Sequence, residues 1–372
     1  MELEAALLEQ WMRDFYFETD LDIGSSGVQP FTMAQVREVS GLRSEELDNV
    51  LFEDSWTLGG PGIRRAVADR FTGGDSDRVM VTHGSSEAIF LTMNALLRPG
   101  DEVIALDPAY QQLYSVSAAV GCEIKRWQLR FEDGFRADLA ALRALVTPRT
   151  RMVVVNFPHN PTGASLTLAE LRELVEVVAE VGAYLVWDAA FAEITHDSEP
   201  LPDPGGWYDR TVSYGTLSKS YGLPGLRVGW CLAAPEVLER CAALRDYISL
   251  HLSPLVELIA ERVVDNGDAF VGRRRALATA NRALLGEWVD RHPGQVAWTP
   301  PAGGVCTFVQ LPGVDDVEEF CRSLAVEHRT LLVPGTCFGH QGFARLGFGA
   351  PTAELETGLA RLSTHLETHK GR

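Results

Sequence analysis

Short apolar runs alternate with stretches of helical periodicity through the middle of the chain. The runs that predict buried strands are 79–82, 103–106, 152–156, 184–187, 212–214 and 228–232. Between them, the stretch 168–181 is typical of an amphipathic helix with Leu168, Leu171, Leu174, Val177 and Val178 on one face. Strands that alternate with helices predict an α/β fold, in which a mostly parallel sheet is flanked by helices. Such a sheet binds ligands beyond the carboxyl ends of its strands.

The pattern changes after about residue 250. A long helical stretch over about 254–291 precedes short predicted strands within 305–311 and 331–333, and a helix over about 353–369 ends the chain. We therefore predict a large domain at 46–250 and a smaller α+β domain at 251–372, with an N-terminal arm at 1–45 that forms part of the small domain.

Composition and charge narrow the classes of function. The chain has 372 residues, 46% apolar and 23% charged, which is typical of a globular protein with a large core. Its net charge of −18 argues against nucleic acid and anionic membranes as partners and suits a cationic substrate. No apolar run approaches the ~20 residues of a membrane helix. Because the N-terminus is acidic, unlike a signal peptide, we expect a cytoplasmic protein.

The cysteines give no sign of a metal site or a disulfide framework. Six cysteines are scattered through apolar stretches, and none forms a C-x-x-C pair. We therefore expect buried free thiols and no bound metal.

The segment 213–230 carries the strongest candidate chemistry. Lys219 lies among hydroxyls and glycines just after a predicted strand, and Arg227 follows eight residues later. A lysine that forms an imine must be able to lose its charge, which neighbouring positive charge or apolar walls favour. Arg227, Thr216 and Ser218 would supply donors for a phosphate. The alternative is a surface lysine in a Ser/Gly loop, but the strand-loop-strand setting and Arg227 favour a site.

A second candidate is an anion site where a predicted strand passes through Gly84 into a helix. The backbone amides of Gly84, Ser85 and Ser86 would point from the helix N-terminus at an anion, helped by the helix dipole. In the alternative, Ser85 or Ser86 only caps the helix.

Four isolated residues are further candidates, each with a structural alternative. Asp188, at the end of an apolar strand, could pair with a protonated pyridine nitrogen or cap the next helix. Asn160, which precedes Pro161, could donate to a phenolic oxygen or make an Asx turn. Tyr110 could stack on a flat ring or belong to the core. Arg345, between apolar residues, could bind a substrate carboxylate or form an internal salt bridge.

In their order along the chain, these segments resemble the fold-type I pyridoxal 5′-phosphate (PLP) enzymes of the aminotransferase class I/II family. The resemblance runs from about Gly27 to the last helix and includes the turns at 301–304 and 333–338. It implies a homodimer with active sites at the interface. It also implies that Lys219 binds PLP as a Schiff base and moves the proton at the substrate Cα.

The resemblance assigns roles to the other candidates as well. Asp188 pairs with the pyridine nitrogen, Asn160 with the ring oxygen O3′, Tyr110 stacks on the ring, and Arg345 binds the substrate carboxylate. The residues implied to hold the phosphate are Gly84, Ser85, Ser86, Thr216, Ser218 and Arg227.

Two departures from the family pattern put ordinary transamination in doubt. The family usually places a tyrosine three residues after the aspartate, whose hydroxyl bonds O3′, and this chain has Phe191. The tyrosine expected before the Gly59-Gly60 turn is also absent, and Trp56 is the nearest aromatic residue.

The N-terminal arm resembles a narrower group. Residues 8–16 and 22–32 are similar to the arm of capreomycidine synthases and related enzymes that cyclise hydroxylated arginine in antibiotic pathways. Ser25 and Ser26 would then contact the substrate, although a polar turn explains them equally well. The resemblance implies that Lys219 removes the Cα proton, the β-hydroxyl leaves, a guanidine nitrogen adds to Cβ, and Lys219 returns the proton.

Three alternatives compete with this hypothesis. The first is an aminotransferase of aromatic or cationic amino acids that uses a keto-acid acceptor. The second, a PLP-sensing transcription regulator, needs a basic DNA-binding domain, and fewer than ~50 residues precede the fold. The third, a scaffold without PLP, has no reason to hold Lys219, Asp188 and Arg345 together.

Overall fold

The computed structural model describes residues 2–369, in which helices and strands alternate along most of the chain. The helices are α1 (Leu7–Phe15), α2 (Met33–Ser40), α3 (Ser44–Asp48), α4 (Pro61–Phe71), α5 (Gly84–Leu96), α6 (Gln112–Val120), α7 (Leu139–Leu145), α8 (Leu168–Glu180), α9 (Pro235–Arg245), α10 (Pro254–Asp265), α11 (Gly267–Asp290), α12 (Val317–His328) and α13 (Thr352–Thr368). The strands are β1 (Leu21–Asp22), β2 (Val79–Thr82), β3 (Glu102–Asp107), β4 (Glu123–Gln128), β5 (Thr150–Asn156), β6 (Tyr184–Asp188), β7 (Thr211–Thr216), β8 (Gly229–Leu232), β9 (Cys306–Gln310), β10 (Thr330–Leu331), β11 (Val333–Pro334) and β12 (Phe343–Gly347). Among the described helices, none combines the length and the apolar character that crossing a membrane requires.

A seven-stranded sheet forms the centre of the fold, in the order β2-β8-β7-β6-β5-β3-β4. Strand β8 runs antiparallel to β2 and β7, and the other neighbouring pairs are parallel. Alternate residues of β5 pack into two different buried clusters: Met152 and Val154 into one, Val153 and Val155 into the other. Both faces of the sheet are therefore covered, which confirms the predicted α/β fold.

A smaller unit follows in the C-terminal part of the chain. Its three-stranded antiparallel sheet has the order β11-β12-β9, and β1 pairs in parallel with β10. The pair β1–β10 attaches the N-terminal segment to this unit. The domain limits at residues 45 and 250 stay a prediction.

The structure differs from the predicted elements at three places. Strand β4 has no apolar run, because it lies at the edge of the sheet and exposes both its ends. Leu168 is 45% exposed, since it is the first residue of α8 and precedes the buried stripe. The predicted stretch 254–291 is interrupted at Asn266, whose φ of −108° and ψ of 23° separate α10 from α11.

The carboxyl ends of the central strands meet at one edge of the sheet. Asn156 at the end of β5 lies in register with Asp188 at the end of β6, and Thr216 ends β7. Strand β2 ends at Thr82, and α5 begins two residues later at Gly84. Parallel strands thus deliver polar side chains from distant segments to one place.

Two glycines allow β8 to pass close to the beginning of α5. Gly84 has a φ of +73°, which residues with a side chain rarely adopt. A Cβ on Gly229 would lie 2.6 Å from the carbonyl carbon of Gly84, 2.7 Å from the Ser85 nitrogen and 2.7 Å from the Gly215 oxygen. Because all three are backbone atoms, no side-chain rotation would relieve the overlap.

Replacing Gly229 by alanine should therefore destabilise the protein by about 1–3 kcal/mol, the usual cost of overpacking. The matched control is Gly272→Ala within α11, where a Cβ meets nothing within 4 Å. That change should be neutral or stabilise by about 0.5–1 kcal/mol. Denaturant midpoints of both variants without cofactor check this, and equal midpoints would contradict it.

Candidate active site

A cavity of about 600 Å³ opens at the carboxyl edge of the large sheet. Its lining includes twelve of the thirteen residues that the sequence singles out: Ser25, Ser26, Ser85, Ser86, Tyr110, Asn160, Asp188, Thr216, Ser218, Lys219, Arg227 and Arg345. The thirteenth, Gly84, lies beside Arg227, since a Cβ on this glycine would be 2.8 Å from the Arg227 Nη2. Segments far apart in the chain therefore converge on one cavity.

Asp188 is a buried carboxylate that has no cationic hydrogen-bond partner among residues 2–369. Within residues 2–369 its one side-chain hydrogen bond is accepted from the Ala190 amide at 3.0 Å. The next α-helix in the chain is α9, so the helix-cap alternative does not apply. Burial raises the pKa of Asp188 to about 6, although the Ala190 amide opposes this shift. A nearby cation on a ligand would restore the charged form.

Asn156 holds the loop that carries Asn160. The Asn156 side chain donates to the Asp188 carbonyl oxygen at 2.9 Å and accepts the Asn160 amide proton at 2.8 Å. The Asn160 side chain makes no Asx turn; its Oδ1 accepts a hydrogen bond from Arg345 Nη1 at 3.2 Å. Its amide group therefore lies in the cavity beside Asp188 and Arg345.

Lys219 follows β7 in the loop between β7 and β8. Its Nζ donates to the Ser26 hydroxyl at 3.0 Å and lies 5.8 Å from the centre of the Phe191 ring. Burial, followed by the charge of Arg345, lowers the pKa of Lys219 to about 8. A larger neutral fraction makes this amine a better nucleophile towards a carbonyl group than an ordinary lysine.

Hydroxyls, a guanidinium and a helix N-terminus form one end of the cavity. Thr216 Oγ1 and Ser218 Oγ are 3.0 Å apart, and Arg227 Nη1 donates to Ser218 Oγ at 3.3 Å. The N-cap of α5 is His83, whose side chain does not cap, so the alternative that Ser85 or Ser86 caps this helix is wrong. These donors suit a phosphate group.

Arg345 is 1% exposed and has no carboxylate partner within residues 2–369, so the internal salt bridge is absent there. Its guanidinium donates to the Gly24 carbonyl at 2.9 Å and to Asn160 at 3.2 Å. Burial lowers the pKa of Arg345. A buried guanidinium that lines a cavity without a counter-ion is suited to bind a carboxylate ligand.

The N-terminal arm covers the cavity from one side. Ser26 is 4% exposed and reaches Lys219, whereas Ser25 Oγ accepts the Gly27 amide proton at 3.4 Å. Tyr110 is partly buried and donates its hydroxyl proton to Glu9 Oε1 at 2.9 Å. Ser25 therefore adopts the turn that the alternative predicted, while it also lines the cavity.

Sequence reasoning missed three residues that shape this cavity. Asn156 is the polar residue that ends the apolar run 152–156, and this was the signal that could have found it. Glu9 and Gln111 lie in segments that hold other candidate residues, and both line the cavity. Only the folded structure brings Glu9 to Tyr110, because 101 residues separate them.

The comparisons with known proteins agree with this geometry. The sequence profile described as aminotransferase class I and II matches residues 57–362. The chain belongs to the aminotransferase class I and II family. A capreomycidine synthase of Streptomyces vinaceus is 45% identical over 100% of this chain and 96% of that protein. An arginine–pyruvate transaminase of Pseudomonas aeruginosa is 31% identical over 78% of this chain and 75% of that protein. The crystal structure of the PLP-dependent cyclase OrfR has a TM-score of 0.94 at 48% identity, and the match covers 99% of this chain and 98% of that one.

This member of the aminotransferase class I and II family is a PLP-dependent enzyme. The residues present fit the cofactor: the amine of Lys219 suits its aldehyde and the carboxylate of Asp188 suits its ring nitrogen. The hydroxyls beside Arg227 and the N-terminus of α5 suit its phosphate. A Cβ on Gly84 would lie 2.8 Å from the Arg227 Nη2, so the glycine lets this guanidinium approach the N-terminus of α5.

The lowered pKa gives a test on the cofactor-free protein. Acylation of Lys219 by a neutral reagent should rise with pH to half its maximum near pH 8. In the unfolded chain the same lysine should reach half-maximum near pH 10.5. The chain has three lysines, so peptide mass spectrometry separates Lys219 from Lys125 and Lys370. A midpoint near 10.5 in the folded protein would contradict the predicted shift.

Proposed function

We propose that this enzyme removes water from a hydroxylated arginine and closes its guanidino group onto Cβ, as a step in antibiotic biosynthesis. One observation carries the proposal. The family profile begins at residue 57, whereas the capreomycidine synthase match spans the whole chain, including the arm that covers the cavity. The arm is therefore shared with the capreomycidine synthase and lies outside the residues that the family profile matches.

In this proposal each of the thirteen candidate residues has a role. PLP, when bound, stabilises negative charge at the substrate Cα. Lys219 holds the cofactor and moves the proton at Cα through its Nζ, and Asp188 pairs with the ring nitrogen. Asn160 donates to the ring oxygen and Tyr110 stacks on the ring. The phosphate is held by Gly84, Ser85, Ser86, Thr216, Ser218 and Arg227.

The cavity holds the proposed substrate through the charged groups of that substrate. Arg345 binds the α-carboxylate, and Ser25 and Ser26 lie on the arm above it. The Cβ–O bond breaks and the hydroxyl takes up a proton to leave as water. A bond then forms between Cβ and a guanidine nitrogen, which gives up a proton, so the net change is the loss of one water. Since Lys219 returns the proton to Cα, the reaction needs no keto acid. An enzyme that eliminates water in this way is a lyase.

Phe191 supports the same conclusion. It is 3% exposed and packs beside Lys219, at the position where the family pattern has a tyrosine hydroxyl. Without that hydroxyl the ring oxygen loses one donor, so the electronic state of the cofactor should differ from that in a transaminase. The change in the cofactor need not be large, because a tenfold preference for cyclisation over transamination requires a difference of only about 1.4 kcal/mol in activation free energy.

A second candidate is an aminotransferase that uses a keto-acid acceptor. The observation in its favour is the 31% identity with the arginine–pyruvate transaminase. That match covers 78% of the chain, less than the match with the capreomycidine synthase.

We also propose that the enzyme is a homodimer. Large apolar side chains are exposed on two neighbouring segments, which Asp54 and His251 join by a contact of 3.2 Å between Oδ1 and Nε2. The exposed side chains are Leu51, Phe52, Trp56, Tyr247, Ile248 and Leu250. A patch of this kind is typical of an interface, and a second copy would cover it. The cytoplasmic location stays a prediction.

Replacing Arg345 by lysine should weaken substrate binding while cofactor binding persists. Lysine keeps the positive charge but loses the planar pair of donors that a carboxylate requires. We expect KM to rise at least about tenfold, the effect of losing one charge-assisted hydrogen bond. The matched control is Arg274→Lys, another buried arginine, which donates to Gln29 and lies outside the cavity lining. An unchanged KM for Arg345→Lys would mean that the carboxylate binds elsewhere.

The reaction itself separates the two candidate functions. The enzyme should consume β-hydroxyarginine without a keto acid and release a cyclic product lighter by one water, with no keto product. Mass spectrometry follows the products of incubations with arginine, hydroxyarginine and 2-oxoglutarate in separate combinations. Lys219→Ala should give no product and keep the fold. Robust glutamate formation from several amino acids, without a dehydrated cyclic product, would show that the enzyme is an ordinary transaminase.

A further inference from the structure

Glu9 places a carboxylate in the cavity that the proposed roles do not use. It lies on α1, and its Oε1 accepts the Tyr110 hydroxyl proton at 2.9 Å. Three carboxylates line the cavity within the described residues: Glu4, Glu9 and Asp188. Asp188 is buried and suits the cofactor ring, while Glu9 keeps an exposed part that a diffusing substrate can reach.

The helix that carries Glu9 is firmly docked. Trp11 is 5% exposed and donates its indole proton to the Leu332 carbonyl at 3.0 Å. Gln111 accepts the Leu7 amide proton at 2.9 Å and donates to the Ala5 carbonyl at 2.9 Å. Since Gln111 follows Tyr110, one short segment fixes both the helix and the side chain of Glu9. The carboxylate is therefore pre-organised, and little side-chain entropy remains to be lost on binding.

The cavity is lined by charges of both signs. Arg345 supplies a cation that has no carboxylate partner within residues 2–369, and Glu9 supplies an anion. Burial lowers the pKa of Arg345, and the charge of Glu9 opposes that shift. An amino acid with a cationic side chain carries both complementary charges, so it matches both groups at once.

We propose that Glu9, held by Tyr110 and Gln111, binds the cationic guanidinium end of the substrate while Arg345 binds its carboxylate. This subsite rests on the proposed function, because it selects a cationic substrate for the same cavity. It makes Glu9 a specificity-determining residue. A carboxylate also matches the fork of guanidinium donors, which a neutral ureido group lacks in part.

Binding to the PLP-loaded enzyme tests the subsite without turnover of hydroxyarginine. The probes are arginine and citrulline, which have similar shapes and differ in side-chain charge. The change in cofactor absorbance during titration gives each Kd. The wild-type enzyme should bind arginine at least about tenfold more tightly than citrulline, the effect of one charge-assisted hydrogen bond. In Glu9→Gln this ratio should fall to within about twofold, because only the cation loses its partner.

The controls separate charge recognition from damage to the arm. Glutamine keeps an oxygen that can accept the Tyr110 proton, so α1 should remain docked and the affinity for citrulline should not change. Glu4→Gln removes one charge from the same cavity lining and should leave the ratio as in the wild type. The proposal is overturned if Glu9→Gln keeps the wild-type ratio, or if it weakens both ligands equally.

The binding ratios and the reaction products together show whether the proposed subsite or the proposed reaction is wrong. If the wild type cyclises hydroxyarginine and Glu9→Gln keeps the wild-type binding ratio, the subsite is wrong and the proposed function stands. If the ratio collapses in Glu9→Gln but the wild type makes only keto products, the subsite stands and the cyclase is wrong.

Discussion

The cavity depends on ionisable groups that the fold buries without giving them ion-pair partners. Asp188 and Arg345 are almost fully buried, and neither forms a salt bridge within residues 2–369. Each such group costs free energy, because desolvation disfavours its charged form. The pKa shifts show this cost, because burial raises the pKa of Asp188 and lowers the pKa values of Lys219 and Arg345. A ligand with complementary charges removes the cost, so binding and stability are coupled.

This arrangement needs a rigid edge, and the parallel sheet provides it. Register places Asn156 beside Asp188, and the Asn156 side chain then fixes the loop that carries Asn160. The phosphate end depends on backbone contact instead, because Gly229 allows β8 to touch the beginning of α5. Side-chain hydrogen bonds therefore position the loop that carries Asn160. At the phosphate end, glycine at position 229 lets two backbone segments pack directly against each other.

Much of this could be predicted from the sequence, because apolar periodicity and chain order carry the information. The alternation of strands and helices is sufficient to predict the sheet, and polar residues at strand ends indicate its functional edge. Edge strand β4 and the break at Asn266 leave no such signal, since neither changes the apolar pattern clearly. The contact between Glu9 and Tyr110 could not be predicted, because it depends on how the arm docks on a distant loop.

The fold determines where the specificity of this enzyme can change. The residues that the proposed function assigns to the cofactor lie on β6, β7 and α5 or in the loops that follow β3, β5 and β7, where a shift in register would disturb the sheet as well as the site. The arm carries its side chains on α1 and on the loop after β1, and it joins the core through a few contacts such as that of Trp11. Substitutions on the arm can therefore alter which substrate is held, although Ser26 and Glu9 also accept hydrogen bonds from Lys219 and Tyr110 of the proposed cofactor site. Phe191 is the exception, since it changes the surroundings of Lys219 from within the core. In the proposed function this chain therefore combines one change beside the cofactor, at Phe191, with an arm that it shares with the capreomycidine synthase.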